Sequence, residues 1–195
     1  MEKLPVYKMV VDDSKESGFD FIALVDEPAI MVDWLAFSAD KKQYRFEADQ
    51  SRRILTGPLM IPDLPIFRRD DKTQKEFYVT FDGQTTEKML KKFMQSGRTS
   101  NINLMHNKNL IAEGVYIFEA WMADESRGVK APEAFKDLPD RTIYGSVHVA
   151  NEELYNEFIA TGKLRGFSIE GLFQQQLVAE ETEKDLIDQI KDILK

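Results

Sequence analysis

The chain has no cysteine and only two histidines, His106 and His148, among its 195 residues. The first absence excludes disulfides, thiolate nucleophiles and cysteine-ligated metals, and it fits a reducing compartment. The second argues against a histidine-rich metal site, and no cofactor is expected. Basic residues are in the minority. With 26 Lys and Arg against 34 Asp and Glu, the net charge of −8 argues against general nucleic-acid binding. No apolar run approaches the roughly 20 residues needed to span a membrane. The first residues, "MEKLPVYKMVVDDSKESGF", lack the basic and apolar regions of a signal peptide. No glycine-rich phosphate loop or dinucleotide fingerprint is present.

What is there is mostly strand-like. "VYKMVV" and "FDFIALV" are β-rich runs parted by the polar turn "DDSKESG". "DEPAI" breaks the pattern, and "WLAFS" and "YRFEA" are short strand candidates. "RRILTGPLMIPDLPIFRR" carries Pro58, Pro62 and Pro65, so a strand followed by an irregular segment is expected. "KEFYVTF" and "TIYGSVHVA" are further strands, and "KLRGFSIEGLFQQQLV" is expected as the last one. "NINLMHN" and "AEGVYIFEAWMAD" should be two strands joined by a turn near Lys108–Asn109. The charged stretch "FRRDDKTQKE" suits a solvated turn, and residues 125–141, without periodicity, suit a loop.

Three segments have helical spacing. Residues 84–96 stack Met89 on Phe93 and Leu90 on Met94, with Gly97 as a stop. Residues 151–162 have Asn151 as a cap, Glu152 and Glu153 at the positive end of the dipole, and Gly162 at the end. Residues 179–195 form an acidic amphipathic pattern with Leu186, Ile187, Ile190, Ile193 and Leu194 on one stripe. It would pack on the domain or dock a partner. The expected class is α+β: a mainly antiparallel β-barrel or sheet covered by a few helices. One domain over residues 1–176 and a separate helix over 177–195 are the expected divisions.

The candidate chemistry lies on the strands. Strand alternation places His106 on a face with Ile102 and Leu104, and Glu119 on a face with Val115, Ile117 and Trp121. An imidazole and a carboxylate on apolar faces each need a partner, and each can satisfy the other. A histidine oriented by a carboxylate is a general-base system. Ser168, between Gly166 and Gly171 in "LRGFSIEG", would complete it as nucleophile. A small residue in a crowded sheet is the competing explanation of the same serine. His148, beside Tyr144 and Ser146 on its strand, is the competing third member.

The motifs "FIALVDEPAI", "ILTGPLMIPDLPIFRRD", "EFYVTF", "NINLMHN" and "GFSIEG", in that order, resemble the XkdF-like family of phage prohead proteases. The likeness runs from about Tyr7 to Phe173 and leaves the final helix outside. The family is similar in fold to the herpesvirus assemblin protease. The resemblance implies a capsid-maturation serine endopeptidase with Ser168 as nucleophile and His106 as general base. Assemblin-type enzymes use a second histidine after the serine, and this chain has none there. Prohead relatives imply an acidic third member, for which Glu119 is the first choice and His148 the second. Scaffold protein, the N-terminal region of the major capsid protein and the protease itself are the implied substrates. A homo-oligomer, with a dimer as its simplest form, and a location inside the assembling prohead in the host cytoplasm are implied too. A non-catalytic capsid-assembly protein that keeps the fold is the alternative.

Overall fold

In a computed structural model, residues 4–12, 17–26, 44–70 and 73–177 are described. The strand expected at "WLAFS" and the terminal helix at 179–195 lie outside them.

The protein is α+β and mostly strand. Among the described residues, twelve strands form three four-stranded sheets. The strands are β1 (Val6–Val10), β2 (Gly18–Val25), β3 (Glu47–Asp49), β4 (Ile54–Met60), β5 (Ile66–Arg69), β6 (Glu76–Thr80), β7 (Ile102–Leu104), β8 (Asn107–Ile111), β9 (Val115–Met122), β10 (Ile143–Val149), β11 (Gly166–Leu172) and β12 (Gln174–Leu177). One sheet runs β12-β1-β6-β5, the second β11-β2-β7-β8 and the third β3-β4-β10-β9. The first two share a plan. A C-terminal strand pairs antiparallel with an N-terminal one, which pairs parallel with a strand from a hairpin. No barrel closes among the described residues, so the sheet form of the expectation holds and the barrel form does not.

Two α-helices are found among the described residues. Helix α1 spans Gly83–Ser96. Asp82 caps it by accepting from the Thr85 N–H at 2.7 Å, and Gly97 ends it with φ of 65°, the left-handed stop that glycine adopts without strain. Its buried face holds Met89 and Phe93, and Phe93 stacks on Phe19 of β2 at 4.4 Å. Helix α2 spans Glu152–Leu154, capped by Asn151, whose side chain accepts from the Leu154 N–H at 2.9 Å. It widens into a π-type winding over Tyr155–Ile159. The core between the sheets is built from Ile22, Leu24, Leu55, Leu59, Ile102, Ile143, Val147 and Phe167, all buried.

Several boundaries depart from expectation for local reasons. The proline-rich segment contains a strand after all, β5, because its prolines stop short of Ile66. Pro58 stands inside β4, beside the register shift where Met60 faces Ile143 and Pro58 faces Tyr144. A bulge is where a strand tolerates a missing N–H. The expected last strand is two strands in different sheets, parted at Phe173. Residues 125–141 contain two short 3-10 turns, Glu125–Arg127 and Glu133–Phe135.

The turn expected at Lys108–Asn109 lies instead at Met105–His106. Leu104 pairs with Asn107 across it, and both turn residues have positive φ, 53° and 59°. These are the backbone signs of a type I′ hairpin turn. Neither residue is the glycine or asparagine that usually signals it, so the sequence conceals the turn. Left-handed backbone costs a residue with a Cβ roughly 1–2 kcal/mol. Met105 is held there by its N–H, which donates to Leu24 O at 3.0 Å.

Candidate active site

Ser168 lies on β11, opposite Ala23 of β2, and Ala23 lies opposite Asn103 of β7. A cross-strand row points to one face of a sheet, so Ser168 and Asn103 look across the small Ala23 side chain. Glu170 is two residues along β11 and shares the Ser168 face. The Asn103 side-chain amide donates to Glu170 Oε1 at 2.7 Å. His106 reaches the same carboxylate from the β7–β8 turn, with Nδ1 3.3 Å from Glu170 Oε1.

Ser168, His106 and Glu170 line one cavity of about 740 Å³. Its walls come from all three sheets, with Leu59 and Met60 supplied by β4. Asp20, Phe21, His106, Lys108 and residues 168–171 form one side. Met9, Ile66, Arg68, Arg69, Phe77 and Val79 form the other. Apolar residues such as Leu59, Met60 and Phe81 share the lining with charged and polar ones, a combination that a ligand site can use for contact and for orientation. Arg68 is exposed by surface area, yet its neighbours crowd it enough that desolvation lowers its pKa.

The polar cluster has two open valences. Ser168 is 2% exposed and its Oγ has no hydrogen-bond partner. Asn103 is fully buried and its Oδ1 has none either. Buried polar atoms are nearly always paired, so these two on one cross-strand row have hydrogen-bonding capacity left over. Gly171, one of the two glycines flanking Ser168, has a different cause from clearance around a hydroxyl. A Cβ on Gly171 would sit 2.0 Å from Gly18 O, at the register shift between Glu170 and Gly171. Gly171 is a backbone-contact residue.

Of the expected members, Ser168 and His106 come together around the cavity, while Glu119 does not. Glu119 lies on β9, in the sheet that holds neither His106 nor Ser168. It faces Ser146, while Ile117 faces Val147, so Phe118 is an extra, bulged residue. The bulge reverses the alternation, and Phe118 and Glu119 are both exposed. The expected His106–Glu119 pair is therefore corrected: the carboxylate at His106 is Glu170. His148 is on β10 of that same separate sheet, near Tyr116 at 5.4 Å between rings, and does not line the cavity. Glu170 is distant from His106 in sequence, and β11 reaches it only because it closes the same sheet on the far side of β2. The signal was present in "GFSIEG", where Ser-x-Glu on a strand puts both side chains on one face. Asn103 had a signal too, as a polar residue in a strand paired on both sides.

Among the described residues, no three His, Asp or Glu side chains converge as a metal ligand set, and no helix is long and apolar enough to cross a membrane. No family model, no curated protein and no solved structure matches the chain.

Proposed function

We propose that the chain is a serine endopeptidase of the prohead-maturation kind. Its substrates would be phage scaffold protein, the N-terminal region of the major capsid protein and the protease itself. It would work inside the assembling prohead in the host cytoplasm, as a homo-oligomer such as a dimer, with an assemblin-like fold.

The observation that carries this reading is the Glu170–His106 contact beside Ser168 in one cavity. With the carboxylate at Nδ1, the ring's Nε2 is the nitrogen left for a nucleophile. Same-face neighbours two apart on a strand lie about 7 Å apart. An imidazole with one partner on each nitrogen spans about that gap. In the proposed reaction His106 takes the Ser168 proton as Oγ bonds to the substrate carbonyl carbon. The carbon–nitrogen bond breaks and the amine leaves with that proton. Water, activated by the same ring, then releases the acyl group. Glu170 keeps the ring oriented and balances its charge; Asn103 fixes Glu170. Ser168 makes no bond to His106 in the unliganded chain, so the bond would form as substrate enters, as is common for catalytic contacts.

The test is co-expression of the wild type, or of Ser168→Ala, with the matching capsid and scaffold proteins, followed by intact masses over time. Discrete truncations that vanish in the variant are expected. Unclipped proteins in both would favour the non-catalytic assembly protein.

A further inference from the structure

We infer that the cavity selects peptides carrying carboxylate side chains next to the bond that is cut. This inference rests on the endopeptidase reading above and names its substrate class.

The chain as a whole is acidic, at −8, yet its cavity is lined by Arg68, Arg69 and Lys108. Some cations elsewhere on this surface have carboxylates, while others, such as Lys75 and Lys130, have none among the described residues. Arg98 pairs with Asp20, Arg141 with Glu87 at 2.6 Å and Lys8 with Asp82 at 2.6 Å. Arg68, Arg69 and Lys108 have no carboxylate partner among the described residues. Glu76 faces Arg69 in register across the β5–β6 hairpin and makes no ion pair with it.

The carboxylates of the lining are already engaged. Asp20 is held by Arg98. Asp70 caps its own turn by accepting from the Thr73 N–H at 2.7 Å. Glu170 holds Asn103 and His106. The local balance therefore favours an incoming anion. Arg68 adds a reason, because its guanidinium has no counter-charge among the described residues and offers a fork of donors to a substrate carboxylate. The net charge of the whole chain opposes a polyanion such as nucleic acid approaching from afar. A peptide with one or two acidic side chains meets only the local field. Ile66 and Arg68 lie on one face of β5, so a peptide side chain with a short stem and a carboxylate tip fits the apolar wall and the cation beyond it.

The test uses the full chain carrying Ser168→Ala, so that no peptide is consumed. The probes are acetylated, amidated peptides of about eight residues, identical except for two central Glu, Gln or Lys residues. Their binding is read by fluorescence anisotropy at low and high salt. The Glu peptide should bind about tenfold tighter than the Gln peptide, with Lys weakest and the difference shrinking in salt. Adding Arg68→Gln and Arg69→Gln should reduce the preference to about threefold or less, with an unchanged circular dichroism spectrum and urea midpoint. Equal binding of Glu and Gln peptides, no binding of any, or a preference that survives loss of both arginines would each overturn the inference. Wild-type cleavage of an unbiased peptide mixture separates the two readings. Cuts without acidic bias would sink the selectivity and leave the endopeptidase. A Glu preference in binding with no cleavage by the wild type would keep the selective cavity and remove the peptidase.

Discussion

Glu170 stands 3.3 Å from His106, by Oε1 to Nδ1, although the two residues lie 64 positions apart in the chain. Two strands of one sheet bring them together: β11 carries the acid, and the turn after β7 carries the ring. The first prediction follows. Glu170→Gln keeps the shape and removes the charge that would steady an imidazolium, so cleavage should fall on the order of a hundredfold to ten-thousandfold. Glu119→Gln should stay within about twofold, since Glu119 is exposed on another sheet. Rates measured on one cleaved substrate decide it. Equal loss in both variants would move the acid away from Glu170.

Asn103 acts at one remove. It donates to Glu170 at 2.7 Å while fully buried. Asn103→Ala should lower kcat about tenfold with KM within about twofold, because the cavity lining is untouched and only the orientation of Glu170 is loosened. Asn103→Asp puts a second carboxylate against Glu170, and like charges at that distance resist joint ionisation. The acid limb of its pH–rate profile should therefore move to higher pH. A purely structural role would lower the urea midpoint and leave that limb in place.

Much of this architecture was legible, and the reasons are particular. Asn151 and Gly162 bracket α2 and its continuation because a side-chain acceptor starts a helix and a left-handed residue ends one, at φ of 71° here. Met89 and Phe93 point inward because residues four apart share a helical face. Ser168 and His106 could be singled out because a hydroxyl and an imidazole are conspicuous among apolar neighbours. The exclusion of Glu119 was not legible, since it depended on which sheet β9 joins and on one extra residue in that strand. The Phe118 bulge turns Glu119 outward, and nothing in "VYIFEAWM" announces it. The turn at Met105–His106 was hidden for a similar reason. Its backbone is imposed by β2 and by Asn107 across the hairpin, and Met105 has no preference for it.

The third prediction concerns Gly171. Its α-hydrogen side faces Gly18 O and Phe19 Cα, where a Cβ would lie 2.0 and 2.5 Å away. Both are backbone atoms, so no side chain can step aside. Gly171→Ala should cost about 4 kcal/mol or more, at the far end of single-substitution effects. Urea unfolding reads it. A loss below about 1 kcal/mol would mean that β11 and β2 can separate there without consequence.

The fourth prediction is a pH dependence at the start of α1. Burial works to raise the Asp82 pKa, but Lys8 and the Thr85 N–H bond its carboxylate and hold it below the ordinary 3.8. A folded pKa below the unfolded one adds stability above the unfolded value and loses it as pH falls through the folded value. Asp82→Ala should therefore cost about 1 kcal/mol near neutrality. The gap between variant and wild type should close as pH drops below the ordinary value of 3.8. Urea midpoints of the two proteins across that range check it, and a gap that stays constant into acid would assign the capping to groups other than the ionised carboxylate.

The last prediction tests whether strain at the turn is separable from the chemistry beside it. Met105 holds φ of 53° and exposes half its surface, so its side chain contributes little packing to offset the conformation. Asparagine visits the left-handed region far more easily. Met105→Asn should then raise stability by up to about 1 kcal/mol. The hairpin keeps its register, because Leu104 and Asn107 still pair across the turn. His106 should remain beside Glu170, and cleavage should change by less than about threefold. If the substitution stabilises the chain and abolishes cleavage, the turn must open during the reaction, and the strained backbone at Met105 would be part of how His106 reaches Ser168.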